Sequence, residues 1–389
     1  MKAAPRKKLS RAVRRERLPG YIGQAVLLVL VLWLVGQGIA NFIANVRALG
    51  VSSGYGFLRR EAGFDIAQAL IPFGPASTYG DAVLAALLNT VLVVVLASVF
   101  ATVIALLVAF GRLGVHPLVR GLCGAYVEVF RNVPLLLQIF FWYFSAIALL
   151  PGVSDSIALG PVLLNNRGLF LPRLSVSGPG AWAVALLLVA LIALARALRR
   201  RARVQGGLDR AAWSAIVAAF VVAGGVLAAL HARFSWALPA ATGFNVSGGI
   251  AVLPELLALT LGLSIYNSTF LAEIFRAGIQ SVPAGQGEAA ATLGLAGWRA
   301  AWLVVLPQAL RVALPPAAGQ YQTLAKASSL AAAVGYPDLM QIVGGTVLSQ
   351  TGQALEAMAL VVVFYALINL LIALGVNLAN GRLMRRHAR

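Results

Sequence analysis

Eight runs of about twenty apolar residues, each long enough to cross a bilayer as a helix, constrain this chain more than any other feature. They lie near 22–44, 83–110, 125–149, 181–198, 212–231, 252–275, 309–334 and 356–379. Hydrocarbon offers no hydrogen-bond partner to a peptide group, so segments of this kind fold as helices that satisfy their own backbone. Of 389 residues, 60% are hydrophobic and 11% charged, which leaves too little polar surface to cover a core in water. The expected fold class is therefore an all-α integral membrane protein with about eight transmembrane helices. The first run follows a basic stretch, as in a signal peptide, but it is too long for one and shows no small-residue cleavage pattern, so it is expected to be a retained span.

A formal net charge of +19 would point to nucleic acid in a soluble protein. Position argues otherwise. Lys and Arg collect in 1–18, 196–210 and 382–389, beside apolar runs, as the positive-inside rule requires of cytoplasmic segments. With the N-terminus inside, 111–120, 196–210, 279–308 and the C-terminus share its side, and 47–80, 151–180, 232–250 and 335–355 lie opposite. An odd number of spans would leave one basic terminus outside. The chain then divides into a basic N-terminus (1–20), a first helix with its outer segment (21–82), a first core part (83–150), an insertion with two extra helices (151–250), a second core part (251–380) and a basic C-terminus (381–389). Cys123 is the sole cysteine and His116, His231 and His387 are scattered, so no disulfide, thiolate cluster or metal site is expected.

The loop 281–308 carries the most specific pattern. Pro283, Gly285 and Gly287 free the chain before an alanine-rich stretch of high helix propensity, and Gly294 ends that stretch. Glu288 suits a helix start, and Ala289, Ala290 and Gly294 offer a small-residue face that another protein can approach. No G-x-x-x-x-G-K-[ST] occurs in the chain, so ATP hydrolysis by a P-loop is excluded. The loop resembles the EAA loop of bacterial ATP-binding-cassette import permeases: Glu-Ala-Ala, three residues, Gly, nine residues, Ile, one residue, Leu-Pro. Glu288, Ala289, Ala290, Gly294, Leu306 and Pro307 match at that spacing, with Val304 where Ile is usual. The resemblance implies a coupling helix that docks on a separate ATP-hydrolysing subunit.

Ionisable groups inside spans are costly and mark functional candidates. Lys326, with Gln322 four residues before and Ser329 three after, forms one helical face. Asn267 and Ser268 lie in the sixth run, and Asn89 and Thr90 in the second read as hydrogen-bonding glue between helices. Glu273 with Arg276, and Glu128 with Arg131, have the spacing of structural ion pairs within a helix. A zwitterionic amino acid needs a cation for its carboxylate and oxygens for its ammonium. Lys326 is expected to supply the first and Asn267, Ser268 or Ser329 the second, unless Lys326 pairs with Glu273 or with another helix.

Residues 126–138, 267–276 and 326–330 resemble successive core segments of polar-amino-acid importer permeases of the histidine/glutamate/arginine type. In that family a lysine followed by Thr/Ser-Ser contributes to the substrate site; here Lys326 is followed by Ala327 where Asn or Asp is common, and Ser328 replaces Thr. Residues 54–66 and 164–172 are similar to the longer, first permease of general L-amino-acid systems. The resemblance implies a MetI-like type I importer core in a bacterial inner membrane. It further implies a second permease subunit of different sequence, two ATP-binding subunits that hold the ATP and Mg, and a periplasmic amino-acid-binding protein. No cofactor of the chain's own is expected. An ion-coupled secondary transporter is the competing reading; it lacks an Asp/Glu/His relay and paired broken helices. A membrane enzyme would want a polar cluster at one interface, which three dispersed histidines do not supply.

Overall fold

Thr78 starts the longest helix. Its hydroxyl accepts the Asp81 N–H at 3.2 Å while the Asp81 carboxylate accepts the Thr78 N–H at 3.0 Å, a reciprocal capping box. From this cap α2 (Tyr79–Leu113) runs 35 residues, about 52 Å and well beyond a hydrocarbon core of about 30 Å. A preceding apolar helix, α1 (Gly23–Gly38), is exposed along its whole length. The computed structural model describes residues 23–38, 54–177, 233–243, 245–295 and 297–385, with isolated positions at 40–45 and 217–224. The expected spans 181–198 and 212–231 and the basic segment 1–20 lie outside the described residues.

The core is built on small residues. Ala82, Ala86, Ala97, Ala101, Ala105 and Ala109 form a fully buried spine on α2, and against it packs α5 (Pro254–Gln280). Without a hydrophobic drive between helices in lipid, close backbone approach of this kind holds them together. Gly262 and Gly278 let α5 touch two further helices. A Cβ at Gly262 would meet Ile139 at 2.8 Å, and one at Gly278 would meet the Ala309 carbonyl at 2.9 Å. Ile139 belongs to α4 (Leu135–Leu149) and Ala309 to α7 (Leu306–Ala327). The last helix, α8 (Ala354–Arg385), packs on α7.

Two expectations about the spans are corrected. The predicted third span, 125–149, is two helices, α3 (Pro117–Asn132) and α4, bent by 100°. Pro134 lacks an N–H and drives Val133 out of the helical region, to φ −84° and ψ 127°. The loop expected at 335–355 contains a helical segment, residues 339–351, in which Leu339, Val343 and Val347 are fully buried. Gly335, at φ +77°, makes the reversal into it, a conformation that favours glycine. Four helices among the described residues are long and apolar enough to cross a membrane, or five with the bent pair counted as one span. Two of the eight expected crossings, 181–198 and 212–231, fall outside the residues this number covers.

The expected insertion, 151–250, together with the two residues after it, carries the strands of the described residues. Strands β1 (Ile157–Leu159), β2 (Val162–Asn165), β3 (Gly168–Leu171) and β8 (Ile250–Val252) form an antiparallel sheet in that order. Strand β4 (Arg173–Ser177) pairs with β5 (Arg233–Ala237), and β6 (Ala240–Thr242) with β7 (Asn245–Ser247). These strands follow α4 and precede α5. They therefore lie at the end of the helices opposite the loop that follows α5.

Candidate functional site

The loop after α5 folds into a short helix, α6 (Ala284–Thr292). Gly294 ends it at φ +77°. The Gly294 N–H bonds the Ala291 carbonyl at 3.0 Å and the Leu295 N–H the Ala290 carbonyl at 2.9 Å. That pair of bonds is a Schellman closure, which satisfies carbonyls a helix end would otherwise leave open. Ala290 is buried, whereas Gly285, Glu288 and Ala289 are exposed. Added Cβ atoms at Gly285 and Gly287 would meet nothing within 4 Å. The outward face of α6 is thus smooth, with one carboxylate and the exposed Leu293 beside it.

A π-helical turn, Ala301–Val305, carries the chain from this loop into α7, where Leu306 and Pro307 form the first turn. The Gln308 side chain donates to the Val304 carbonyl at 3.0 Å and to the Gln286 side chain at 3.2 Å. Gln308 thus ties α6 to the start of α7. Beside it, Glu273 of α5 accepts both Nε and Nη2 of Arg276 at 3.0 and 2.8 Å and also pairs with Arg112 at the end of α2. The sequence foresaw Arg276 as partner; Arg112, 161 residues earlier in the numbering, gave no local signal. Glu128 and Arg131 make no ion pair among the described residues. Arg131 lies instead over the Phe270 ring at 4.8 Å.

The residues expected around a substrate do not share one surface. Asn267, Ser268 and Ser328 are buried. Asn267 accepts from the Gln320 side chain at 2.7 Å, Ser268 shares a 2.7 Å hydrogen bond with the Tyr126 hydroxyl, and Ser328 bonds the Ala325 carbonyl at 2.8 Å. The first two bonds hold helices together; the third is local to its own turn. Gln322 donates to the Asn369 carbonyl of α8 at 3.1 Å. Lys326 is exposed, and Glu273 is engaged elsewhere; Ser329 lies a turn beyond, its hydroxyl bonded to the Lys326 carbonyl at 2.8 Å.

A buried polar network at the far end escaped the sequence reading. Asp338, 1% exposed, accepts the Gln341 N–H at 2.8 Å and the Tyr365 hydroxyl at 2.9 Å. Thr90 of α2 accepts the Leu339 N–H at 3.0 Å, and Asn89 donates to the Pro337 and Gln68 carbonyls at 2.9 and 2.7 Å. The network fastens the segment 335–341 between α2 and α8. Asn89 and Thr90 thus act as hydrogen-bonding glue, as expected, but their partner is the segment 335–341 rather than a spanning helix.

No protein-family model matches the chain. It is 44% identical over 370 residues to the putative amino-acid ABC transporter permease protein YhdX of Escherichia coli (strain K12), covering 93% of each chain. It is 42% identical over 364 residues to the general L-amino acid transport system permease protein AapQ of Rhizobium johnstonii, covering 92% of this chain and 90% of that one. Among solved structures, an amino acid ABC transporter described with histidines aligns over 78% of this chain and 95% of its own, at 19% identity and a TM-score of 0.46. Full-length identity at this level to two such permeases places the chain among the permease subunits of amino-acid ABC transporters.

Proposed function

We propose that this permease forms half of the membrane channel of a binding-protein-dependent importer of L-amino acids, worked through α6 by a separate ATP-binding subunit. The observation that carries the proposal is α6 itself, a capped helix with a smooth outward face, tied by Gln308 to the first turn of α7. Two ATP-binding subunits supply nucleotide, Mg and hydrolysis. A second permease of different sequence completes the channel, and a periplasmic binding protein delivers substrate to the end where the β strands lie. The membrane is the bacterial inner membrane, with both termini in the cytoplasm.

The exposure of Lys326 supports a substrate route between the two permeases rather than through this chain. A lysine facing hydrocarbon would be costly, whereas an apposed subunit enclosing a wet path gives it a role. There its ammonium meets the substrate carboxylate, with Ser329 one turn away for the substrate's polar groups. Asn267 and Ser268 keep the helices in place.

The test is ATP-driven uptake by the complete transporter in proteoliposomes. Lys326→Met is expected to lower uptake at least tenfold at limiting substrate while assembly with the ATP-binding subunits is unchanged, the loss of one charged hydrogen bond. Unchanged uptake would remove Lys326 from the route. Uptake by this chain without ATP-binding subunits, driven by an ion gradient, would overturn the importer reading.

A further inference from the structure

Two buried polar groups on neighbouring helices lack partners. Nε and Nη2 of Arg311 on α7, and Oδ1 of Asn380 on α8, are buried without a hydrogen bond among the described residues. Buried donors on one helix and a buried acceptor on the other, each unpartnered, are costly to both helices. The Gln322 bond to the Asn369 carbonyl fixes how α7 and α8 lie side by side. Arg311 stands eleven residues before Gln322, and Asn380 eleven after Asn369. On two helices running in opposite directions, eleven residues is about three full turns for each. Counted along the two helices from that bond, Arg311 and Asn380 therefore fall at about one level.

Between the anchor and this level stand Pro315 and Pro316, inside α7. They remove the N–H groups that would have bonded the carbonyls of Arg311 and Val312, which makes this the weakest point of the helix. On the loop side of the prolines, α7 rides on Gly278 of α5 through Ala309 and Ala313, small groups that permit a change of angle. That half of α7 is also the half attached to α6.

We infer that Arg311 and Asn380 form a lock between the loop-end halves of α7 and α8, open in this conformation and closed in the other end state of the transport cycle, with Pro315 and Pro316 as the hinge. Both are positioning residues. The inference rests on α6 being the contact with the ATP-binding subunit, since motion of α6 is what swings the hinged half.

The complete transporter in proteoliposomes tests it. Arg311→Met and Asn380→Ala are each expected to lower the amino acid moved per ATP hydrolysed by about five- to tenfold, and the double variant no further than either one. Independent, multiplying losses or no loss would overturn the lock. If Arg311→Met does not assemble, Asn380→Ala and Asn380→Asp carry the test. The first should uncouple, and the second should bind Arg311 more tightly and slow turnover; identical behaviour of the two would also overturn it. In a Cys123→Ser background, spin labels at the exposed positions 312 and 378 are expected to approach by a few ångströms, on the order of known helix shifts, in one of the nucleotide-free and nucleotide-trapped states. Equal distances in both would remove the conformational change. Gly287→Leu on α6 serves as the separate control: if it abolishes ATP hydrolysis stimulated by the binding protein while the lock variants do nothing, the lock fails and the docking role of α6 stands.

Discussion

At Gly294 and Gly287 the same substitution should act in opposite senses. Gly294 holds φ +77° with nothing within 4 Å of an added Cβ, so Gly294→Ala meets no clash but pays left-handed strain of about 1 kcal/mol. Gly287 lies inside α6 with the same open space, and there alanine favours the helix by about 0.5–1 kcal/mol. Amide exchange across 284–292 should quicken about fivefold in the first variant and slow about threefold in the second. Transport should nonetheless fall in both, because the new methyl group at 287 stands on the face proposed to meet the ATP-binding subunit. Full transport by Gly287→Ala would move that contact elsewhere. The pattern of Glu288, Ala289, Ala290, Gly294, Leu306 and Pro307 was legible because it depends on spacing along one short stretch. Asn267 and Ser268 were placed beside the substrate because a polar side chain in a span has two fates, lining a path or joining helices. In this conformation their partners are Gln320 and Tyr126, which spacing along one helix does not announce.

At the scale of elements, the sequence indicated where apolar residues collect but not which way the chain travels through them. The stretch 125–149 has the length of a span and Pro134 in its middle, and length outweighed the proline; in the folded chain the proline wins, and α3 meets α4 at 100°. The segment 339–351 was too short and polar-flanked to read as buried, yet α2 and α8 enclose it through partners far away in sequence. This docking can be tested at Thr90, whose hydroxyl accepts the Leu339 N–H and donates to the Ala86 carbonyl. Thr90→Val preserves shape and opens no cavity but leaves a buried N–H unpaired, a cost of about 1–3 kcal/mol. Thr90→Ser keeps the hydroxyl and should cost less. The expected result is faster amide exchange across 335–351 in the valine variant and a near-normal rate in the serine variant. Equal rates would mean that packing alone holds the segment against α2.

For the whole molecule, the strongest constraint on the insertion comes from one pair of strands. In the register of β4 with β5, Ser177 lies opposite Arg233, so residues 178–232 leave and return at a single point. A segment with that attachment can be absent without altering the path of the core. The two apolar runs within it, 181–198 and 212–231, supply an even number of crossings if they span, and the sides assigned to 1–20 and 381–389 then do not depend on them. Joining Ser177 to Arg233 through Asn-Gly, a turn suited to antiparallel strands, should give a shorter chain that inserts and assembles with the ATP-binding subunits. Its ATP hydrolysis stimulated by the binding protein should stay within about twofold, since α6, Gln308 and the helices they move are untouched. Reporter fusions at residue 389 should report the same side in the full and shortened chains. A reversed C-terminus would mean that 178–232 crosses an odd number of times, and a shortened chain that fails to assemble would make those residues part of the contact with the second permease rather than an appendage to the core.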